Sequence, residues 1–209
     1  MLASASPARQ SVLRAAGIEP VVRVSGVDED AVRTSLTDSA PDELVTALAT
    51  AKAEAVVEQV AAEFAEAVVV GCDSMLWTGG PDGHQLVGKP PTPEEAARRW
   101  SWMAGGTGEL LTGHAVLRVS NGGVVARSSD HLSTTVRFGE PSEQELDSYI
   151  ATGEPLRVAG GFTLDGLGGW FVTGVDGDPS SVIGISLPLT RSLLAQVGVG
   201  VVSMWDHAS

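Results

Sequence analysis

A chain of 209 residues has room for one large domain or two intimate lobes, and it can bury a substantial core without disulfide staples. With 13 Lys and Arg against 26 Asp and Glu, the net charge of −13 argues against broad attraction to nucleic-acid backbone or to an anionic membrane surface, so an anionic ligand has to be met by a local cluster of cations. One cysteine, Cys72, excludes an internal disulfide framework, and without a charged-then-apolar leader or a run of about 18 apolar residues the expected address is the cytoplasm.

In chain order, the opening "LASASPAR", Leu2 to Arg9, is a small-residue, hydroxyl-rich loop. Pro7 to Ala16 reads as a helix with proline in its first turn, ended by Gly17. Val21 to Val24 is apolar and β-branched enough for a strand, and it leads into the acidic "GVDED" at Gly26 to Asp30. Pro41 to Ala67 reads as one long helix with Leu44, Ala47, Leu48, Ala51 and Ala55 on its apolar face and Lys52 on the flank. "AVVVGCD", Ala67 to Asp73, reads as a buried strand that stops at an acid.

A Gly/Pro turn and a short strand in "GPDGHQLVGKP" then place Lys89 just before a proline. Thr92 to Glu95 forms a capping box opening a helix that ends near Ala104 to Gly106. Leu110 to Val119 and Val124 to Phe138 read as strands of a hairpin joined across "SNGG". A second capping box, Ser142 to Glu145, starts a helix stopped at Gly153. Beyond it come a Gly-rich stretch (Gly160 to Gly169), an apolar segment (Trp170 to Val175), a "DGDPSS" turn and a last helix around Leu187 to Val197. Helices interleaved with single strands and a hairpin define an α/β class with a mixed sheet, expected as one domain over 1–209.

Eleven of the thirteen cations are arginines, and the two lysines stand at 52 and 89. Lys offers a compact, mobile point charge where Arg offers a planar fork, so the two are poor substitutes at a tight phosphate site. The opening loop adds free backbone N–H groups at a helix N-terminus, with Ser4, Ser6 and Arg9 as further donors. The same Ser-x-Ser-Pro pattern also serves simply to cap a helix, just as Lys52 could pair with glutamates along its own helix. Asp73 is harder to account for structurally, because a carboxylate at the end of an apolar strand needs a partner. Together with the acidic pair Asp28 and Glu29, these groups are the parts of a phosphoanhydride hydrolase: cations for phosphate oxygens, carboxylates for Mg²⁺ and water. A solvated acidic loop is the plainer reading of Asp28 to Asp30.

The four histidines, His84, His114, His131 and His207, lack metal-ligand spacing and read as ordinary satisfied residues. Cys72 reads as a buried small residue, and Trp100, Trp102, Trp170 and Trp205 as mostly core residues that could otherwise stack a base. "GGFTLDGLGGW" matches no dinucleotide or P-loop fingerprint and reads either as backbone approaching a ligand or as a wide turn.

In this order, "LASASPAR", "VDE", "AKA", "GCDS", "VGKP", "GHAV", "TTVRF", "YIATGEP", "AGGFTLDGLGG" and "DPSSVIGISLP" resemble the Maf family of nucleoside triphosphate pyrophosphatases over nearly the whole chain. The resemblance implies an elongated α/β fold with a cleft between two lobes, hydrolysis of a nucleotide between its α and β phosphates, and dependence on Mg²⁺ or Mn²⁺. It places Asp73 as the catalytic acid, acting on water or through the metal, and Glu29 as a metal-binding acid. Ser6, Arg9, Lys52 and Lys89 match the family's phosphate-facing positions, and Ser4 stays a candidate substrate-binding donor of the same loop. The family's pyrimidine-preferring branch has a second arginine, a threonine and a glutamine where this chain has Ala8, Ser74 and Asp165. A branch acting on 7-methyl-GTP has glutamate in the Gly-rich loop, so Asp165 matches neither pattern; as a carboxylate it accepts hydrogen bonds from purine N–H groups.

Members usually carry several apolar residues before "LAS", whereas here only Met1 precedes it. The resemblance also implies a link with arrest of cell division and septum formation, a homodimer, and a role in clearing non-standard nucleotides. A nucleotide-sensing regulator with slow or incidental hydrolysis is the alternative.

Overall fold

The computed structural model describes residues 1–37, 39–81 and 83–205; His207 lies outside them. The helices are α1 (Pro7–Ala15), α2 (Glu29–Ser35), α3 (Pro41–Ala55), α4 (Val57–Glu63), α5 (Pro93–Met103), α6 (Glu143–Ala151), α7 (Pro179–Ile183) and α8 (Leu187–Gln196). The strands are β1 (Glu66–Gly80), β2 (Gly83–Val87), β3 (Thr107–Ser120), β4 (Gly123–Phe138) and β5 (Val172–Asp176). They form one five-stranded sheet in the order β2-β1-β3-β4-β5, with β2 antiparallel to β1 and β5 antiparallel to β4. The class is α/β with an antiparallel five-stranded sheet flanked by helices, to which Leu2 adds isolated parallel bridges with Val22 and Val70.

Local chemistry accounts for most boundaries. Ser6 caps α1 by accepting from the Arg9 amide, and Pro7 takes a first-turn position where its missing N–H costs nothing. Asn121 and Gly122 both have positive φ (50° and 87°), the geometry that a two-residue hairpin turn between β3 and β4 requires. Ser142 and Glu145 form the reciprocal box that opens α6. At α5 the Thr92 hydroxyl accepts from the Glu95 amide, but the Glu95 carboxylate turns to Arg98 and Arg99 rather than back to the cap.

Several elements differ from expectation. Val21 to Val24 forms no strand; only Val22 bridges, and Leu2 lies between it and Val70, with Leu2 N–H donating to Val21 O at 2.8 Å and Ala3 N–H to Val70 O at 2.8 Å. The long helix breaks at Val56, and β1 already begins at Glu66. Part of the "DGDPSS" turn is the start of α7. The acidic loop gives rise to α2, capped by Asp28, whose carboxylate accepts from the Ala31 amide.

The buried face of α3 is also rotated from the expected one: Val45, Leu48, Ala49, Lys52 and Ala53 point inward. Two glycines explain the rotation. A Cβ at Gly71 on β1 would lie 2.2 Å from Ala49 O, and one at Gly113 on β3 would lie 2.2 Å from Val45 O, so the α3 backbone rests directly on bare strand. Gly71→Ala therefore forces helix and strand apart. We expect about 2–3 kcal/mol of destabilisation, the upper range for overpacking a dense interface, read as a lower urea midpoint at unchanged slope.

The described chain divides into two compact units, and β1, β3 and β4 each contribute a segment to both. The first unit, residues 1–73, 112–132 and 184–209, has a core that includes Ala49, Ala53, Val56, Val69, Ala115 and Leu117. The second, residues 74–111 and 133–183, is built around Trp100. Its indole lies edge-on to Phe138, Tyr149 and Phe171 and donates to Gly161 O at 2.9 Å. Trp100 is thus a core residue; Trp102 lies beneath the Arg98 guanidinium, while Trp170 and Trp205 are exposed.

Candidate active site

The first unit gathers two constellations of site residues. One is a lysine held between two acids. Lys52 comes inward because α3 sits on Gly71 and Gly113, and its Nζ donates to Asp73 Oδ1 at 2.5 Å and pairs with Glu29 Oε1 at 2.7 Å. Asp73 is buried at 6 % exposure and lies within β1 rather than at its end, since the strand runs on to Gly80. The apolar run pauses there because Lys52 supplies the partner that a buried carboxylate needs. Lys52 belongs to the buried face of its helix, not to the flank. Of the acidic pair, Glu29 joins the site, whereas Asp28 is exposed and spends its carboxylate on capping α2.

Asp73 Oδ2 is buried with no hydrogen-bond partner in the structure. One oxygen of this carboxylate is therefore fixed by Lys52 while the other is an unused acceptor. A buried acceptor left in this way is costly unless a ligand, water or cation meets it.

The second constellation is the opening loop. Ser4 Oγ accepts from the Ser6 amide at 3.2 Å and from Arg9 Nη1 at 3.0 Å, while Arg9 Nε donates to Gly184 O at 2.8 Å. Ser4 is buried; Ser6 and Arg9 are half-buried at the start of α1. The link from Ala3 N–H to Val70 O ties this loop to β1 just ahead of Gly71. Between the constellations, burial pushes the Cys72 thiol up to about 11, with the Arg9, Asp73 and Lys52 charges as smaller influences. Cys72 is an inert, fully buried side chain rather than a nucleophile.

The second unit carries the other site residues. Ser74 follows Asp73 on β1 and is half-buried. Lys89 is exposed after β2, on a backbone anchored at Gly88, whose carbonyl accepts from Arg99 Nη1 at 2.7 Å and from the Gly160 amide at 3.1 Å. Asp165 is exposed in the Gly-rich loop, which folds into short 3-10 turns. Glu154, not singled out by its sequence context, organises that loop: its carboxylate accepts from Thr163 Oγ1 at 2.6 Å, Gly168 N at 3.1 Å and Leu167 N at 3.2 Å. Burial works to raise the Glu154 carboxyl, but these hydrogen bonds outweigh it and hold the group below its ordinary value.

None of the described histidines faces a metal cluster. His84 stacks on Trp77, His131 lies 3.6 Å from an Asp42 oxygen, and His114 is buried with both ring nitrogens bonded. Among the described residues, no helix is long and apolar enough to cross a membrane.

A family model described as Maf-like protein matches residues 1–197. The chain belongs to the Maf-like family. Relatives named nucleoside triphosphate pyrophosphatase align along nearly all of it. The Saccharopolyspora erythraea protein is 71% identical over 205 residues, covering 98% of this chain and 96% of its own. The Nocardia farcinica protein is 61% identical over 208 residues, covering 99% and 96%, and that of Rhodococcus jostii is 59% identical over 207 residues, covering 98% and 95%.

The acids of this Maf-like protein suit a hard divalent cation of a particular kind. Among the described residues no group of three or more His, Cys, Asp or Glu is placed to hold a metal ion by itself. Mg²⁺ commonly takes only one or two carboxylates from the protein and fills its remaining positions with water and substrate phosphate. Asp73, with its unused buried oxygen, and Glu29 on the same lysine fit that demand.

Proposed function

We propose that this Maf-like protein is a nucleoside triphosphate pyrophosphatase that hydrolyses the bond between the α and β phosphates, releasing a nucleoside monophosphate and pyrophosphate. The observation that carries the reading is Asp73: a buried carboxylate with one oxygen fixed by Lys52 and the other unused, in a chain 71% identical to a relative of that name.

Each residue then has a task set by its chemistry. The opening loop, with Ser4, Ser6, Arg9 and the positive end of α1, receives phosphate oxygens. Lys52 holds Asp73 in place and neutralises a charge that would otherwise be buried alone. Asp73 Oδ2 orients the attacking water and takes its proton. Lys89 supplies a compact charge to the leaving pyrophosphate. Glu29 and Asp73 would hold Mg²⁺ or Mn²⁺, which when bound offsets charge on the phosphates. Because the reaction makes little covalent demand on the protein, positioning and electrostatics carry most of the rate.

For the base, Ser74 and Asp165 are the discriminating positions. An ionised carboxylate only accepts, so Asp165 would meet N–H donors on the base, such as those of a purine edge. The test is a panel of standard and modified nucleoside triphosphates with Mg²⁺, separating pyrophosphate from orthophosphate, run on the wild type and Asp165→Ala. Pyrophosphate release with a purine preference that Asp165→Ala flattens supports the reading. Tight binding without turnover would point instead to a nucleotide-sensing regulator of cell division, and an unchanged ranking would remove Asp165 from base selection.

A further inference from the structure

We infer that His114 is a positioning residue for the phosphate loop, acting through Arg9; the inference rests on the reading of Arg9 as a phosphate ligand. His114 lies on β3 with 0 % exposure. Its Nε2 faces the Ser186 amide at 2.9 Å, and its Nδ1 faces Thr112 O at 3.1 Å. An amide N–H can only donate, so Nε2 must be the unprotonated nitrogen. The proton therefore sits on Nδ1 and is donated to the Thr112 carbonyl. The ring is thus a neutral strut with a defined tautomer, joining β3 to the chain between α7 and α8.

That chain segment, Gly184 to Ser186, has no strand or helix ladder of its own. Three anchors locate it: the Ser186 amide on His114, the Ser186 hydroxyl capping α8 through the Leu189 amide at 3.1 Å, and the fully buried Ile185. Its other end presents the Gly184 carbonyl to Arg9 Nε at 2.8 Å. Gly184 has φ +135°, and a Cβ there would stand 3.2 Å from Arg9 Cγ, so the backbone itself forms the wall along which the arginine lies. Arg9 Nη1 in turn reaches Ser4 Oγ. A path runs from His114 by a hydrogen bond to Ser186, along the backbone through Ile185 to Gly184, and by hydrogen bonds on to Arg9 and Ser4.

The role of such a path is to fix the plane of the guanidinium. Arg binds phosphate through a planar fork, so a carbonyl bonded to Nε and a hydroxyl bonded to Nη1 fix the plane and the heading of that fork. If the Ser186 amide loses its acceptor, Gly184 O drifts and the fork loses its aim. Arg9 itself stays charged and present.

The test compares His114→Asn, which keeps the bond to Thr112 O but is too short to reach Ser186, with His114→Gln, whose carbonyl oxygen can replace Nε2. Each is made in the wild-type and Arg9→Gln backgrounds. The readouts are KM and kcat for the preferred nucleotide, and the Kd of inorganic pyrophosphate by calorimetry. His114→Asn is expected to raise KM and the pyrophosphate Kd by about tenfold while kcat changes by less than about threefold. His114→Gln should recover most of that loss. In the Arg9→Gln background His114→Asn should add less than about twofold, because both changes remove one interaction.

A full additional factor in the Arg9→Gln background would overturn the inference, as would equal damage by Gln and Asn. The unsubstituted protein gives a check that does not depend on any variant folding: ¹⁵N NMR of the imidazole should show the proton on Nδ1 near neutral pH, and a proton on Nε2 would overturn the geometry. Pyrophosphate binding needs no turnover. A wild type that binds pyrophosphate without hydrolysing nucleotides would sink the pyrophosphatase reading while the His114 inference is still decided by the binding cycle.

Discussion

Asp73→Asn leaves a folded protein whose pyrophosphate release falls by about 10²- to 10⁴-fold, the range for loss of a positioned general base. Asn has the same shape, and its carbonyl oxygen still accepts from Lys52, whose charge keeps its pairing with Glu29 at 2.7 Å. What disappears is the basic oxygen at Oδ2, the buried acceptor without a partner. The substitution therefore separates chemistry from architecture. Initial rates of pyrophosphate release, set beside urea unfolding of the same samples, should show a collapse in the first and a modest change in the second. A variant with near-wild-type turnover would remove Asp73 from the mechanism.

Lys52→Met is expected to behave in the opposite sense, with loss of activity accompanied by a large loss of stability. Met retains the apolar stem and the helix propensity of α3, so the deleted feature is the ammonium group alone. Its removal strands Asp73 at 6 % exposure without the lysine that neutralises it and leaves Glu29, which shared that lysine, as a nearby like charge. Breaking a buried pair from one side typically costs about 3–5 kcal/mol, mostly because the remaining charge stays desolvated. The double variant Lys52→Met with Asp73→Asn has no buried charge left and should regain most of that loss, though none of the activity. Urea midpoints of the two single variants and the double variant decide the matter. A Lys52→Met protein as stable as the wild type, with no gain from the second change, would show that the pair is solvated.

The behaviour of this pair also shows where sequence reading succeeds and where it stops. Lys52 and Asp73 stand out because a chain of eleven arginines keeps only two lysines, and because an acid interrupts a β-branched run. Caps and turns are legible for the same reason: Ser6, Asn121-Gly122 and Ser142 act on backbone within a few residues of themselves. The inward face of α3 was not legible. Its alanines give weak contrast between faces, and the choice was made by bare backbone at Gly71 and Gly113, each distant in sequence from the helix residues it touches.

The extent of β1 is not legible for a related reason. Asp73 looks like a strand end until Lys52 is known to neutralise it, and β1 continues because its later residues, Met75 and Leu76, are buried in their turn. The residues alone offer Glu29 as half of an acidic pair with Asp28, and the resemblance is what singles it out; the helix capped by Asp28 carries it to Lys52. His114 reads as an ordinary satisfied histidine, and both of its ring nitrogens are hydrogen-bonded. Its partner Ser186 lies 72 positions away, however, so no spacing could reveal the link to Arg9. Glu154 is similar: its value lies in amides of a Gly-rich loop that forms around it.

The central claim is the position of bond cleavage, and hydrolysis in ¹⁸O-water tests it most directly. The wild-type protein, with Mg²⁺ and a nucleoside triphosphate that it turns over, is followed by ³¹P NMR and mass spectrometry. Attack on the α phosphorus gives nucleoside monophosphate carrying the label and unlabelled pyrophosphate in equal amounts. Nucleoside diphosphate with orthophosphate would contradict the account, and label in the pyrophosphate would contradict its assignment of pyrophosphate as the leaving group.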